Sequence, residues 1–146
     1  MAIRPATEAD IPWLIEELKE FAKIIPDGIV KFPSDEYAAD FLGGLVKDHV
    51  CLVESSRKGF IAGAINRNPL NPEKVLLSEL FWWVSPQYRR GTTGYRLLAA
   101  FIKKARSLEC VDYVTVSLER DSKVGDNTII RLGFRPMERT FVMEAR

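Results

Sequence analysis

Arg89, Arg90, Gly91, Thr92, Thr93, Gly94 and Tyr95 form a short stretch whose residue types suit phosphate binding. They follow an apolar, aromatic run, Leu80 to Val84, and a break at Ser85-Pro86. A helical pattern starts at once. Leu97, Leu98, Phe101, Ile102, Ala105 and Leu108 fall at helical spacing, with Arg96, Lys103, Lys104 and Arg106 between them. A strand, a turn carrying Gly and Arg, and then a helix is a way to hold an anion. The first amides of a helix have no intrahelical acceptor, and the helix dipole is positive at that end. Arg89 and Arg90 add full charges that pair with phosphate. Gly91 and Gly94 let a ligand approach the backbone closely. The spacing is neither that of a Walker loop nor the Gly-x-Gly-x-x-Gly of a dinucleotide fold. Residues 89–95 therefore read as a phosphate or pyrophosphate cradle. The local pattern leaves a solvated turn as the alternative.

Other chemistries find less support. His49 is the only histidine, lies just before a predicted strand, and no Gly-x-Ser-x-Gly is present. This argues against a Ser-His-Asp or Cys-His unit. Cys51 and Cys110 both sit in apolar contexts and are expected to be buried thiols. No Cys/His spacing suggests zinc, so no metal is expected. The chain is 47% hydrophobic and 28% charged, with a formal net charge of +1. That balance fits an ordinary globular protein and lacks the footprint of a general nucleic-acid binder. Arg89, Arg90, Arg96, Lys103 and Lys104 remain as a local basic patch. The N-terminus has no signal-peptide core, and no apolar run is long enough to span a membrane, so a cytoplasmic location is expected. The 146 residues suit one domain, 1–146.

The elements that must position the cradle can be read in order. Ala2 to Pro5 is a short strand. Thr7-Glu8-Ala9-Asp10 is a helix-start signal with Thr7 as cap, followed by a stripe of Ile11, Leu14, Ile15, Leu18, Phe21 and Ala22. Pro26-Asp27-Gly28 should break this helix. Ile29, Val30 and Phe32 in the next loop are expected to cap the core, with a substrate-facing lid as the alternative. Ser34 should cap a second helix that Gly43-Gly44 weakens midway. Residues 49–54, 60–67 and 75–84 are predicted strands joined by turns. After the cradle helix, Val111 to Leu118 alternates as a strand. Thr128 to Leu132 reads as a short helix closed by Gly133, and Phe134 to Glu144 as a last strand. The order β-α-α-β-β-β-α-β-α-β implies an α/β (α+β) fold with a mixed sheet.

The chain at this point resembles the GCN5-related N-acetyltransferase (GNAT) superfamily. Ile3-Arg4-Pro5-Ala6-Thr7 with Asp10-Ile11-Pro12 is similar to the usual opening of that family. Val84-Ser85-Pro86-Gln87-Tyr88-Arg89 resembles the end of its central strand, and Leu132-Gly133-Phe134-Arg135-Pro136 its closing segment. The family signature Gln/Arg-x-x-Gly-x-Gly/Ala falls on Arg89 to Gly94, with Thr92 where the first glycine is usual. A cradle with a run of Arg and Gly is similar to some phage and prophage members.

The resemblance implies a mostly antiparallel sheet flanked by helices, with two central strands splayed apart. It implies acetyl-CoA as cosubstrate, its pyrophosphate held by Arg89, the backbone of Arg90, Gly91, Thr92, Thr93 and Gly94, and Tyr95. Its pantetheine arm would pair with Trp82, Trp83 and Val84 on one side and Ser117 and Leu118 on the other. The thioester carbonyl would meet the amide of Val84 or Trp83. Glu79, on the central strand, stands near the position of a glutamate base in some members. Ionising a carboxylate among aromatic and aliphatic neighbours is costly, so its pKa should rise. The usual tyrosine acid is absent, since Ile129 occupies its place. Ser122 stands near a usual cofactor-contacting asparagine, and Asn127 is a second polar candidate. Glu79 and Ser122 are the catalytic candidates.

The leading expectation is acetyl transfer to a primary amine of a small molecule or a protein, by direct attack on the thioester. The alternative is a catalytically silent acyl-CoA-binding module, with a nucleic-acid-associated protein as a third reading. A homodimer joined by the C-terminal strand is also expected. Acceptor recognition would fall to loops 26–33, 66–74 and 119–127.

Overall fold

The computed structural model describes residues 2–25 and 28–146. The predicted helix break at Pro26-Asp27 lies outside them. Among the described residues five strands form one sheet in the order β1-β2-β3-β4-β5: β1 Ile3–Pro5, β2 Val50–Glu54, β3 Gly59–Asn68, β4 Asn71–Val84 and β5 Tyr113–Thr115. The first four pair antiparallel, while β5 pairs parallel to β4. Helices α1 (Ile11–Ala22) and α2 (Asp35–Asp48) cover one face, and α3 (Thr93–Ser107) covers the other. A short α4 spans Asp126–Arg131. The mixed, mostly antiparallel sheet flanked by helices is the fold class that the sequence implied.

Strand alternation sorts the core into two clusters. Cys51, Val53, Phe60, Ala62, Phe81 and Trp83 face α1 and α2, where they meet Leu14, Leu18, Phe21, Leu42 and Leu45. Val50, Leu52, Ile61 and Leu77 face α3, against Leu97, Leu98, Phe101 and Ala105. One pair breaks the period. Leu77 packs on the α3 face, yet Phe81 and Trp83 pack on the opposite one. A strand of period two would put all three on the same face. The reason is a β-bulge: Gly63 pairs with Glu79 and Ala62 with Phe81, leaving Leu80 as the extra residue. The bulge inverts the faces of β4 and turns its course.

That turn sets the limits of β5. Its pairing with β4 runs from Leu76/Tyr113 to Ser78/Thr115 and stops where the bulge begins. The predicted strand to Leu118 is therefore shorter, because β4 leaves it. Among the described residues no strand pairs with that edge of β4 beyond Ser78, so the two strands splay.

Ser34 caps α2 as expected, its Oγ accepting the Tyr37 N–H at 3.1 Å. The helix runs through Gly43-Gly44 because Leu42 and Leu45 are buried on either side. Thr7 stands at the N-cap ahead of α1, as expected, in a capping box with Asp10, whose Oδ2 takes the Thr7 N–H at 2.9 Å. Val30 and Phe32 pack on the first core, with Phe32 against Phe41 and Phe81, as a core cap would. Gly133, at φ 103°, closes α4.

Two expectations fail. Phe134 to Glu144 forms no strand. Phe134 packs on the second core, but Met137, Phe141, Val142 and Met143 are exposed, and among the described residues none of them joins a strand. Cys110 is exposed, not buried: the turn from Leu108 to Val111 sends those two residues inward and leaves Glu109 and Cys110 at its tip. Cys51 is buried, which pushes its thiol up to about 12.

Gly63 sits opposite the bulge. A Cβ there would lie 2.6 Å from Phe101 Cζ and 2.7 Å from the Ser78 carbonyl oxygen. Gly63→Ala should therefore force α3 off the sheet and cost about 1–3 kcal/mol. Urea denaturation of the variant checks this; an unchanged midpoint would contradict the packing described.

Candidate functional site

The start of α3 is left open by its own residues. Thr92 occupies the N-cap position with φ −101° and ψ 5°, and its side chain caps nothing. Threonine there ordinarily accepts an amide hydrogen bond of the first turn. Without it, those amides have no side-chain acceptor. An open cavity of about 330 Å³ lies against them, lined by Thr92, Thr93, Tyr88, Arg90, Arg96 and Lys58 among others. Gly91 is part of the same wall. Thr93 is buried and lines the same cavity. Trp82 Nε1 donates to the Gly94 carbonyl at 3.0 Å and pins this helix start to β4.

The cations divide differently from the sequence expectation. Arg90 lines the cavity and Arg89 does not. Arg89 folds back: its Nε donates to the Val84 carbonyl at 2.8 Å, and its guanidinium lies 4.4 Å from the Trp83 ring centroid. Arg96 and Lys58 take part instead. Arg96 was legible as the residue one turn in from Thr92 and Thr93. Lys58 comes from the turn between β2 and β3, and no local spacing announces it. Tyr95 is exposed on the outer side of α3.

The free edge of β4 leads to this cavity. Ser85 N–H donates to the Lys58 carbonyl at 2.9 Å, on the β3 side. Backbone groups alternate sides along a strand, so Trp83 faces β3 and Val84 faces the gap. Arg89 reaching the Val84 carbonyl from that side agrees. Of the two amides named from the sequence, Val84 is the one directed into the splay.

Glu79 lies where β4 and β5 part. Burial pushes its carboxyl up to about 8, the nearby charge of Glu119 adds to the rise, and the Ser117 N–H donating to it opposes the rise. The fork thus holds a carboxyl that titrates near neutrality, bonded to the segment that follows β5 across the gap. Ser117 is otherwise exposed.

Trp82 and Trp83 point to opposite faces, and both are engaged within the fold. Trp83 is buried in the first core, edge-on to Phe21, with its Nε1 donating to Glu17 at 2.7 Å. Ser85 Oγ donates to the same Glu17 oxygen at 2.8 Å. Ser122 stands in the loop before α4, where its Oγ accepts the Val124 N–H at 3.2 Å. Asn127 is exposed in the first turn of α4. His49 Nδ1 accepts the Ile65 N–H, a structural bond from β3 to the residue between α2 and β2. Among the described residues no group of His, Cys, Asp and Glu could hold a metal ion.

The same architecture occurs in solved acetyltransferases. The chain superposes on a Trypanosoma brucei acetyltransferase with a TM-score of 0.71 at 19% identity, covering 98% of both chains. A predicted acetyltransferase of Clostridium acetobutylicum, solved with acetyl-CoA, gives 0.71 at 15% identity over 98% of this chain and 95% of that one. Aminoglycoside N-acetyltransferase AAC(6')-Iy, in complex with CoA, gives 0.69 at 18% identity over 99% and 94%. The chain shares the fold of these acetyltransferases. No family model matches it, and no curated protein matches it in sequence.

The raised carboxyl has a thermodynamic consequence. Glu79 binds its proton more tightly folded than unfolded, so stability falls as pH rises from about 4.5 to about 8. Glu79→Gln should flatten that fall and be the more stable protein at pH 9. Urea midpoints at pH 5 and pH 9 measure it; an equal pH dependence in both proteins would show that Glu79 titrates normally.

Proposed function

We propose that residues 1–146 form one acetyl-CoA-dependent N-acetyltransferase unit that acetylates a primary amine by direct attack on the thioester. One observation carries this reading: the free edge of β4, with Glu79 at its fork, runs directly into an uncapped helix start beside a cationic cavity. Such a slot suits an extended thiol arm that ends in phosphates. The solved relatives with acetyl-CoA and CoA add support, since those ligands belong to the same fold.

The residues present fit this cosubstrate. The amides from Gly91 to Gly94, the hydroxyls of Thr92 and Thr93, and the charge of Arg90 and Arg96 are suited to its pyrophosphate. The Val84 amide faces the gap and can donate to a carbonyl oxygen that gains negative charge. When bound, acetyl-CoA supplies a thioester as activated acyl donor. The acceptor nitrogen forms a bond to the acyl carbon, the carbon–sulfur bond breaks, and the sulfur leaves with the electron pair. Glu79, as carboxylate, accepts the proton shed by nitrogen, directly or through water. Ile129, in place of a tyrosine acid, leaves protonation of the thiolate to solvent. Ser122 and Asn127 are polar groups for the cosubstrate in the loop before α4 and at its start. We take the compartment to be the cytoplasm, where acetyl-CoA is supplied. We also propose a homodimer whose contact is the exposed C-terminal segment from Met137 to Met143.

Calorimetric titration with acetyl-CoA, followed by thiol release against a panel of amines, tests the proposal. Binding and turnover are expected. Turnover should rise with pH toward about 8 as Glu79 ionises, and Glu79→Gln should lose that limb. Arg90→Ala with Arg96→Ala should raise the acetyl-CoA KM at least about tenfold. Binding without turnover would favour a silent acyl-CoA-binding module, and absence of binding would overturn the reading.

A further inference from the structure

Gly43 and Gly44 sit in the middle of α2, where glycine is less favourable than alanine because it has more backbone freedom to lose. Packing does not demand them. A Cβ at either position would meet no atom within 4 Å beyond its own helix backbone and chain neighbours. The sequence thus keeps a strip of α2 bare at a cost in helix stability. Tyr37, Phe41 and Gly44 recur at i, i+4 and i+7, so they share one flank of the helix.

Aromatic rings line that flank. Phe41 stands edge-on to Phe81 of β4, with centroids 6.4 Å apart. Phe32, from the loop before α2, lies 5.5 Å from Phe41, 5.9 Å from Tyr37 and 6.4 Å from Phe81. The cluster is buried at Phe81 and opens outward: Phe32 and Phe41 are half-buried, and Tyr37 is 52% exposed.

This flank stands beside the fork. Phe81 is two residues past Glu79 on β4, and Leu80 between them is 40% exposed. Helices α1 and α2 pack on the strands up to β4. Strand β5 instead turns Val114 to the α3 side and leaves Tyr113 exposed on the other. Ser117, whose N–H bonds Glu79, is exposed as well. A molecule that approaches Glu79 from the α1/α2 side therefore comes by way of the aromatic flank.

The charge there is opposite to that of the anion cavity. Asp40 stands one turn from both Tyr37 and Gly44, and Glu36 one turn before Asp40. Both are exposed, and neither forms an ion pair among the described residues. Asp35 is engaged by Lys19. Lys31 lines a cavity against α1 together with Lys19 and Lys23. Rings beside uncommitted carboxylates match a cation carried on an apolar body. The rings cover the body and attract an ammonium group. A polyhydroxylated amine would lose hydrogen bonds to water against the same rings.

We propose that the Tyr37–Gly44 flank of α2, with Phe32, is the acceptor site, and that the acceptor is an arylalkylamine, a primary amine joined to an aromatic ring by a short alkyl chain. The inference rests on the acetyl-transfer reading above and adds the substrate class to it. Tyr37 and Phe32 hold the aromatic body, Gly44 leaves room for it, and Asp40 and Glu36 draw in the ammonium form. Tyr37 is then a specificity residue.

Thiol release at saturating acetyl-CoA provides the test, with 2-phenylethylamine, 4-phenylbutylamine, n-butylamine, spermidine and kanamycin as acceptors. The better arylalkylamine should exceed n-butylamine in kcat/KM by at least about tenfold, the range of a ring contact with its cation–π share. It should exceed spermidine and kanamycin by more. Tyr37→Ala should cut the advantage over n-butylamine below about threefold, through KM rather than kcat. Tyr37→Phe should keep most of it. Gly44→Ala should raise the melting temperature and yet raise the same KM. A preference for spermidine or kanamycin would overturn the inference while leaving acetyl transfer in place. So would an arylalkylamine KM unchanged in both Tyr37→Ala and Gly44→Ala. Absence of turnover with every amine would overturn both.

Discussion

Leu80 is one residue more than β3 can pair, and β4 absorbs it by bulging between Glu79 and Phe81. The bulge exchanges the faces of the strand, so that Leu77 packs under α3 while Phe81 and Trp83 pack under α1 and α2. It also bends β4 away from β5. The gap, the position of Glu79 at its apex and the direction of the Val84 amide all descend from this insertion. Gly63 makes it possible, since a side chain opposite the bulge would strike Phe101.

The other half of the site depends on the end of β4 being held still. Trp82 bonds the α3 start, Trp83 bonds Glu17 of α1, and Ser85 bonds Glu17 and the Lys58 carbonyl. The end of β4 and the residue after it therefore tie together both helical layers and the β2–β3 turn. Arg89 is drawn into this arrangement by the Val84 carbonyl and the Trp83 ring. The anion cavity is left to Arg90, Arg96 and Lys58.

Much of this was legible in the chain. The strand-turn-helix around residues 84–105, the Ser34 cap and the Gly133 stop are local signals, and local physics reproduces them. The raised carboxyl of Glu79 followed from its apolar neighbours. Other features depend on contacts far apart in sequence. Nothing near Lys58 shows that it lines the same cavity as Arg96. The bulge is invisible because Leu80 fits an apolar strand run as well as its neighbours do. The alternation from Val111 to Leu118 suggested a full strand, but a strand needs a partner and β4 departs at Ser78. Phe134 to Glu144 has strand-like composition too, and among the described residues no strand edge receives it.

Amide hydrogen exchange with and without acetyl-CoA addresses the central claim directly, because it reports where the molecule docks. The account predicts slowed exchange at Val84, whose N–H faces the gap, and at the amides from Gly91 to Tyr95, whose helix start has no cap. Slowing confined to other parts of the chain, or none at saturating acetyl-CoA, would contradict it.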